Sequence, residues 1–272
     1  MNHSNILTII SASQTSSGVL SLKAAAFDLH LEILVIAPDD ENIIELLGTT
    51  DRVIYRFGPK NYSKYANLLP LISNKPRYIL EKSIGAFDKI NTYKILSTAG
   101  IPIPKSWIVK KDYLYDGNSF VIKIANGNQG LGVEKINSQK DLDDFFETYA
   151  GDDEFLAQEF IAEAEARDKR LFVIGNKVVA AMERISLSDD FRANLHLGAA
   201  AQNYEPSLEE IEIALKSIEA FGLDYGGVDI IDSSRGPLVL EVNPSPGFGI
   251  SKITGVDVAK ELIRYISEEY KK

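Results

Sequence analysis

The sequence predicts a mixed α/β and α+β protein in which a small N-terminal βαβ unit precedes a larger region built on antiparallel sheet. In the first third, short apolar runs alternate with a segment of helical spacing. Beyond residue 105, consecutive strand patterns are joined by turns short enough for hairpins. The 272 residues, 45% of them hydrophobic and 25% charged, are sufficient for a sizeable core.

The N-terminal unit combines strand and helix patterns in the order of a βαβ layer. The predicted elements are strands at 5–10, 31–37 and 52–56 and helices at 18–30 and 86–99. The second helix ends before Gly100, a residue typical of helix C-termini. Pro102 and Pro104 follow at once, so we expect a stiff linker and a domain boundary near residues 100–105.

The second region is rich in strands of alternating polarity. The predicted strands are 119–125, 131–136, 155–160, 170–174, 177–183, 226–231 and 237–242. Helices are expected at 138–149, from Ser207 to Gly222, and at 256–270. Gly175 and Asn176 form a two-residue hairpin turn, and Ser207 with Glu210 forms a capping box at the start of its helix.

Composition excludes several classes of chemistry. Because the chain has no cysteine, it has no disulfide, thiolate zinc site, iron–sulfur cluster or cysteine nucleophile. With only His3, His30 and His196, a metal would depend on oxygen ligands, which favours magnesium, manganese or calcium. The net charge of -10 argues against nucleic-acid binding. Apolar runs are too short for a membrane span and no secretory signal is visible, so a cytoplasmic protein is expected.

A glycine-rich segment at 123–133 is the first candidate site. Gly127, Gly130 and Gly132 lie between two strand patterns, whereas Rossmann and P-loop motifs place a helix directly after the glycines. A strand–loop–strand hairpin of this kind can fold over a triphosphate and offer it backbone N–H groups, with Lys123 pairing with phosphate oxygens. A flexible hairpin without ligand is the alternative.

Two carboxylates and a carboxamide form the second candidate site. Glu241 and Asn243 are two residues apart on one strand, so they share a face, and Asp229 lies in the apolar strand that a short turn connects to it. Such oxygen ligands suit magnesium, which completes its octahedron with phosphate and water. The alternative is that these side chains are polar residues facing solvent at strand ends.

Taken in order, these segments resemble the ATP-grasp ligases, in particular the RimK-like branch typified by the ribosomal-protein glutamate ligase. The resemblance begins near Asp88 and continues to the C-terminus. The motifs that carry it are KIANGNQGLGV, QEFI, RDKRLFVIGNKVVAAMER, DFRANLHLGAAA, GGVDI and RGPLVLEVNPSPG. It implies an ATP-grasp fold, with an N-terminal domain at 1–85 and an ATP-grasp domain at 86–272. Two α+β subdomains, 86–160 with the glycine loop and 161–272 with the metal ligands, would clasp ATP.

The resemblance also implies a role for each matching residue. Two magnesium ions, for which manganese can substitute, would be held by Asp229, Glu241 and Asn243. Adenine would meet Glu159 and Phe160. The remaining nucleotide contacts implied are Lys89, Lys123, Gly127, Gln129 and Gly130 for the phosphates, Asp168 for the ribose, and Arg192 and Asn194 for the phosphates and the acyl phosphate.

The implied activity is ATP-dependent amide formation between a carboxylate acceptor, a peptide C-terminus or small molecule, and an amine, through an acyl phosphate with release of ADP. The alternatives are a ligase for a small-molecule or amino-group-carrier acceptor, and an inactive nucleotide-binding regulator. Whether the chain forms a homo-oligomer is left open.

The amine is expected to be an acidic amino acid, glutamate first. In an acidic protein, Arg170, Arg184 and Arg192 flank the phosphate site, and arginine binds carboxylates in bidentate fashion. Arg170 and Arg184 lie on the two arms of one predicted hairpin, so they could face one pocket. The catalytic residues expected are Arg170, Arg192 and Asn194. Alternatively they are surface ion-pair partners of Glu163, Glu165 or Asp168.

Overall fold

The computed structural model describes residues 6–48, 52–56, 86, 88–127, 131–151, 154–164, 166–187 and 199–269. Within these residues the strands form three sheets, of three, four and five strands. The strands of the first sheet are parallel and those of the other two are antiparallel. The predicted change from a βαβ layer to antiparallel sheet is confirmed.

The N-terminal sheet has the strand order β2-β1-β3. Its elements are β1 (Ile6–Ile10), α1 (Ser17–Asp28), β2 (Glu32–Ile36), α2 (Ile43–Gly48) and β3 (Arg52–Tyr55). Helix α1 begins where the Ser16 hydroxyl accepts a hydrogen bond from the Val19 amide. Since β2 and β3 lie on opposite sides of β1, the carboxyl ends of β1 and β3 meet at a switch point in the strand order, where sheets of this kind bind ligands.

Helix α3 (Lys89–Thr98) leads into the second region. The Asp88 carboxylate caps it by accepting from the Asn91 amide, and the chain leaves it through Gly100, whose φ is +68°. The end of this helix at Gly100 is as predicted. Its beginning is three residues later than the predicted residue 86.

The four-stranded sheet has the order β4-β7-β5-β6. Its elements are β4 (Ser106–Val109), β5 (Phe120–Ile124), β6 (Val133–Ile136), α4 (Gln139–Thr148) and β7 (Phe155–Glu159). One face buries Phe120, Ile122 and Phe155 against Leu142 and Phe145 of α4. Strand β4 is not predicted by the sequence pattern, while the others are.

The five-stranded sheet has the order β10-β9-β8-β11-β12. Its elements are β8 (Arg167–Ile174), β9 (Lys177–Ile185), β10 (Ala200–Asn203), α5 (Leu208–Ala220), β11 (Tyr225–Ile231), β12 (Leu238–Asn243), α6 (Ile250–Thr254) and α7 (Val258–Glu269). The capping box at Ser207 and Glu210 is confirmed, with both reciprocal hydrogen bonds present. Strand β8 begins at Arg167, three residues before the predicted start, which places Asp168 inside the sheet.

Two hydrophobic clusters join regions that are far apart in sequence. The first contains Leu7 and Ile9 of β1, Leu22 of α1, Phe172 of β8 and Leu262 of α7, so the N-terminal sheet shares its core with the five-stranded sheet. The second packs the end of α3 against α5 through Leu96, Ile213 and Phe221. Within the described residues, no helix is long and apolar enough to cross a bilayer.

Candidate nucleotide and metal site

The glycine hairpin brings two lysines together. Lys123 lies on β5 opposite Val133 of β6, and its Nζ donates to Gln158 Oε1 at 2.6 Å. Lys89, at the start of α3, donates from its backbone N–H to the Ala125 carbonyl at 2.9 Å and from its Nζ to the Gly127 carbonyl. The base of the predicted glycine hairpin is therefore present, and both predicted lysines lie at it.

Glycine is required at the two described glycine positions of this hairpin for steric reasons. A Cβ at Gly127 would overlap the Leu131 carbonyl, and one at Gly132 would overlap the Ile124 side chain. The φ of Gly132 is +67°, a conformation that other residues rarely adopt.

Burial and mutual repulsion weaken proton binding at the lysine pair. Burial, together with the nearby Lys89, lowers the pKa of Lys123 to about 8, and Glu241 and Asp229 oppose the shift. Burial also lowers the pKa of Lys89, again opposed by Glu241. An anion bound between the two ammonium groups would relieve both effects.

The end of β7 holds the predicted adenine contacts. The Glu159 carboxylate accepts from the Lys105 amide at 2.6 Å and from Arg235, and these contacts outweigh burial and lower the pKa of Glu159. The Phe160 ring lies under Lys135, whose Nζ is 3.6 Å from the ring centroid. Because the Glu159 backbone N–H also donates to the Lys105 carbonyl, at 2.8 Å, Glu159 can offer an adenine edge only acceptor groups.

The proposed metal ligands lie on adjacent strands. Asp229 of β11 is directly opposite Glu241 of β12, and Gly227 is opposite Asn243. Asp229 is buried, whereas Glu241 is exposed and Asn243 half-buried. The alternative of solvent-facing side chains is therefore wrong for Asp229. Among the described residues, no group of three or more His, Cys, Asp or Glu side chains is placed to bind a metal. Asp229, Glu241 and Asn243 are not such a group, because the third of them is an amide.

Two arginines and two aspartates form a buried ion-pair network across β8, β9 and β11. Arg170 binds Asp229 with two parallel hydrogen bonds, from Nε to Oδ1 at 2.7 Å and from Nη2 to Oδ2 at 2.6 Å. Arg184 binds Asp168 in the same way, at 2.5 and 2.7 Å, and its Nη2 also lies 2.9 Å from Asp229 Oδ2. Arg170 and Arg184 thus converge on Asp229.

The pKa values in this network shift in opposite directions. Burial raises the pKa of Asp168 to about 6, although Arg184 opposes the shift. For Asp229 the two arginines outweigh burial and hold the pKa below its ordinary value. Asp229 therefore stays ionised at neutral pH, as a cation ligand must.

The network corrects two expectations for the arginines. Arg170 and Arg184 do face one point, but that point is a protein carboxylate rather than an open pocket, because the register places Arg170 opposite Asp229. The alternative is right that Arg184 pairs with Asp168, but the pair is buried rather than on the surface, since the side chains of Arg170 and Arg184 are 17% and 3% exposed. Asp168, assigned to the ribose, has both oxygens on Arg184 and offers a ligand only its remaining lone pairs.

Four predicted residues lie outside the described part of the chain, namely Gln129, Gly130, Arg192 and Asn194. Their roles stay predictions. Sequence reasoning gave no role to Gln158, which accepts from Lys123 and donates to Ser106 Oγ at 3.1 Å. The signal in the sequence is a polar glutamine within the otherwise apolar run of β7. In the structure Gln158 is only 5% exposed, and a buried polar side chain needs a partner.

Comparison with known proteins shows the family of the chain. A RimK-like ATP-grasp domain matches residues 86–266. A probable alpha-L-glutamate ligase of Cellvibrio japonicus (strain Ueda107) is 40% identical over 254 residues, which cover 89% of this chain and 84% of that protein. A ribosomal protein bS6--L-glutamate ligase of Salmonella newport (strain SL254) is 39% identical over 201 residues, which cover 70% of this chain and 67% of that protein.

Solved structures show the same fold at low identity. The ATP-grasp ligase PsnB, in complex with a minimal precursor, superposes with a TM-score of 0.75 at 20% identity, covering 98% of this chain and 99% of that one. The D-alanine--D-alanine ligase of Bacillus anthracis gives 0.72 at 20% identity, covering 97% and 96%. With the matched domain and the curated relatives, these findings establish that the chain belongs to the RimK-like ATP-grasp family of ligases.

Proposed function

We propose that this protein uses ATP and Mg²⁺ to join the amino group of glutamate to a carboxylate acceptor. The observation that carries the proposal is the pairing of opposite charges across the site. Lys89 and Lys123 lie at the glycine hairpin, and Glu241 is close enough to both to favour their charged forms. A cationic pair facing carboxylates suits a polyphosphate that binds lysine on one side and metal ions on the other.

The proposed reaction has two steps and needs no protein nucleophile. An acceptor carboxylate oxygen attacks the γ-phosphorus of ATP, and the bond from that phosphorus to the β,γ-bridging oxygen breaks. ADP departs, and the acceptor becomes an acyl phosphate. The glutamate nitrogen then attacks the acyl carbon, phosphate leaves with the C–O bonding electrons, and the nitrogen loses a proton to give the amide. Catalysis rests on positioning and on neutralising charge, which agrees with a chain that has no cysteine and three histidines.

The residues of this chain divide that work. Lys123 and Lys89 would neutralise phosphate oxygens, and Gln158 holds the Lys123 ammonium in place. The Lys135 ammonium orients Phe160 beside the adenine position. The glycine hairpin would cover the phosphates and exclude water from the acyl phosphate.

The donor set fits magnesium. Asp229, Glu241 and Asn243 supply only oxygen ligands, which is the preference of this ion, and few protein ligands are needed when phosphate supplies the rest. Asp229 Oδ2 already accepts from both arginines, whereas Oδ1 accepts only from Arg170 Nε and has a second lone pair available. When bound there, magnesium would supply positive charge that stabilises the negative charge developing on the phosphate oxygens.

The amine and acceptor are proposed from the relatives. Those 34 to 40% identical to this chain carry the name glutamate ligase, and one group of them is named for ribosomal protein bS6. We therefore propose glutamate as the amine and the C-terminal carboxylate of a peptide or protein as the acceptor.

The test is an incubation of the purified protein with ATP, MgCl₂, glutamate and a set of peptides ending in different residues. Phosphate release that needs both glutamate and a peptide, together with a glutamyl mass increase on that peptide, is the expected result. Glu241→Ala serves as the inactive control. ATP consumption with lysine or alanine but not with glutamate or aspartate would contradict the proposed amine, and nucleotide binding without turnover on any acceptor would contradict the ligase activity.

A further inference from the structure

Arg56 connects the N-terminal sheet to the loop that follows the proposed metal ligand Asn243. It comes directly after β3, and its backbone N–H donates to the Ile10 carbonyl of β1 at 2.9 Å. Its Nη2 donates to the Pro246 carbonyl at 3.0 Å, and its Cζ lies 4.7 Å from the Phe248 ring centroid. One side chain thus contacts both ends of the segment from Pro246 to Phe248.

A short chain of contacts leads from Arg56 to Asn243. The loop of residues 244–249 follows Asn243 directly. The backbone N–H of Ser245 in this loop donates to Asn243 Oδ1 at 3.0 Å. Pro246 is the next residue and is the acceptor for Arg56. The orientation of the Asn243 amide therefore depends on the backbone that Arg56 holds.

The loop is also seated closely on β11. A Cβ at Gly227 would lie 3.2 Å from Pro246 Cβ, closer than almost all real contacts, so the absence of a side chain at Gly227 lets the loop approach. Gly227 is the register partner of Asn243. Asn243, its strand partner Gly227 and the loop therefore pack against one another, and Arg56 is their contact to the N-terminal sheet.

The environment of Arg56 is poorly suited to a purely stabilising role. Its Nη1 is buried and has no hydrogen-bond partner among the residues that the structure describes. A buried donor left unpaired costs free energy. Arg56 is retained despite that cost, and its acceptor Pro246 is 190 residues away in sequence. These two facts favour a role for Arg56 in the site rather than in folding alone.

We propose that Arg56 is a positioning residue, which fixes the loop of residues 244–249 and through it the Asn243 ligand. The inference rests on the proposed function, because it assumes that Asn243 binds the metal. It adds that the N-terminal domain, through Arg56, is required for a complete metal site.

Two substitutions test this in different ways. Arg56→Gln removes the charge and the guanidinium fork. Gly18→Ala keeps the arginine but places a methyl group 2.7 Å from its Nη2, which must then move. The controls are Arg264→Gln, which removes an exposed arginine of α7, and Gly151→Ala, whose added Cβ meets no atom within 4 Å.

The measurement is Mn²⁺ binding by electron paramagnetic resonance in the presence of a non-hydrolysable ATP analogue, with hydrogen exchange of the loop amides alongside. We expect Arg56→Gln to weaken Mn²⁺ binding by about tenfold or more, as for residues that orient metal ligands, and to speed exchange at Ser245, Gly247 and Phe248. Gly18→Ala should weaken Mn²⁺ binding in the same direction, Arg56→Lys should recover part of the loss, and both controls should match wild type.

The outcomes separate this inference from the proposed function. A wild-type protein that binds no Mn²⁺ with the analogue overturns the proposed function and the inference with it. If wild type binds Mn²⁺ and folded Arg56→Gln binds it equally well, only the role of Arg56 is overturned. Should Arg56→Gln fail to fold, Gly18→Ala decides, and unchanged Mn²⁺ binding in that variant overturns the role.

Discussion

Arg170 and Asp229 face each other across β8 and β11 in a bidentate ion pair, with both hydrogen bonds between 2.6 and 2.7 Å. The pair is largely buried, with the side chain of Asp229 only 6% exposed. Asp229 therefore has two purposes, as the proposed metal ligand and as the counter-ion of two arginines. The two purposes predict different behaviour for the two carboxylate ligands.

Glu241→Ala and Asp229→Ala should both abolish Mg²⁺-dependent ATP turnover, but only the second should weaken the fold. Glu241 is exposed, whereas removing Asp229 leaves the buried Arg170 without its partner and Arg184 with Asp168 alone, which costs about 3–5 kcal/mol. Urea unfolding beside an ATPase assay checks this. Equal stability of the two variants would contradict the network, and turnover retained in both would contradict the metal assignment.

Arg170→Lys should raise the Mg²⁺ concentration needed for half-maximal turnover. Lysine keeps the charge but loses the two-pronged geometry that fixes the Asp229 oxygens, and such orienting contacts are worth about tenfold or more in metal affinity. Titrations of Mg²⁺ and of glutamate in the same variant distinguish two roles. A higher KM for glutamate with an unchanged Mg²⁺ dependence would show instead that Arg170 binds the acidic substrate.

ATP binding should take up protons above about pH 8. The pKa of Lys123 is about 8 in the ligand-free protein, and bound phosphate favours the charged form, so the pKa rises on binding. Calorimetry at about pH 9 in two buffers of different ionisation heat measures the uptake. Lys123→Met should remove most of it, and no buffer dependence in wild type would contradict the assignment of Lys123 to phosphate.

The same shift has a consequence for stability. Because the native pKa of Lys123 lies below its ordinary 10.5, the unfolded chain retains this proton in a range where the native protein has lost it. The contribution of Lys123 to the free energy of unfolding therefore rises between about pH 8 and pH 10.5. Lys123→Met should be more stable than wild type at neutral pH, by thermal unfolding, and should lack this rise.

Gly132→Ala should lower ATP turnover and stability more than Gly117→Ala. Both glycines have positive φ, +67° and +94°, so alanine is strained at each, by about 1 kcal/mol or more. Only at Gly132 does the new Cβ also overlap a side chain, that of Ile124 on the strand that carries Lys123. Thermal unfolding and the KM for ATP, compared between the two variants, check whether the hairpin geometry matters for nucleotide binding.

Local patterns were sufficient for most of the fold. The strand patterns of β5, β6, β11 and β12 and the capping signals at Ser207 predicted those elements within one or two residues, because strand patterns and end-capping are properties of a few consecutive residues. Strand β4 was missed because it is a four-residue edge strand next to the proline-rich connection, with only one fully buried side chain.

The ion-pair network was beyond local patterns for a different reason. Arg170 and Asp229 are 59 residues apart, and their contact depends on β8 lying beside β11, which the order of elements along the chain does not specify. The sequence could identify both residues as candidates, but it could not show that they bind each other. The contact between Arg56 and Pro246 could not be predicted for the same reason, since these residues are 190 positions apart in the chain.

The core shared by β1, α1 and α7 has a consequence for biosynthesis. Asp28 of α1 pairs with Lys260 of α7, which the ribosome adds 232 residues later, and Leu22 and Leu262 are buried in the same cluster. The N-terminal sheet therefore cannot complete its packing while most of the chain is still being translated. Its apolar surface stays accessible to chaperones during that interval, and a nascent chain stalled before α7 would be a substrate for quality control rather than a half-active enzyme.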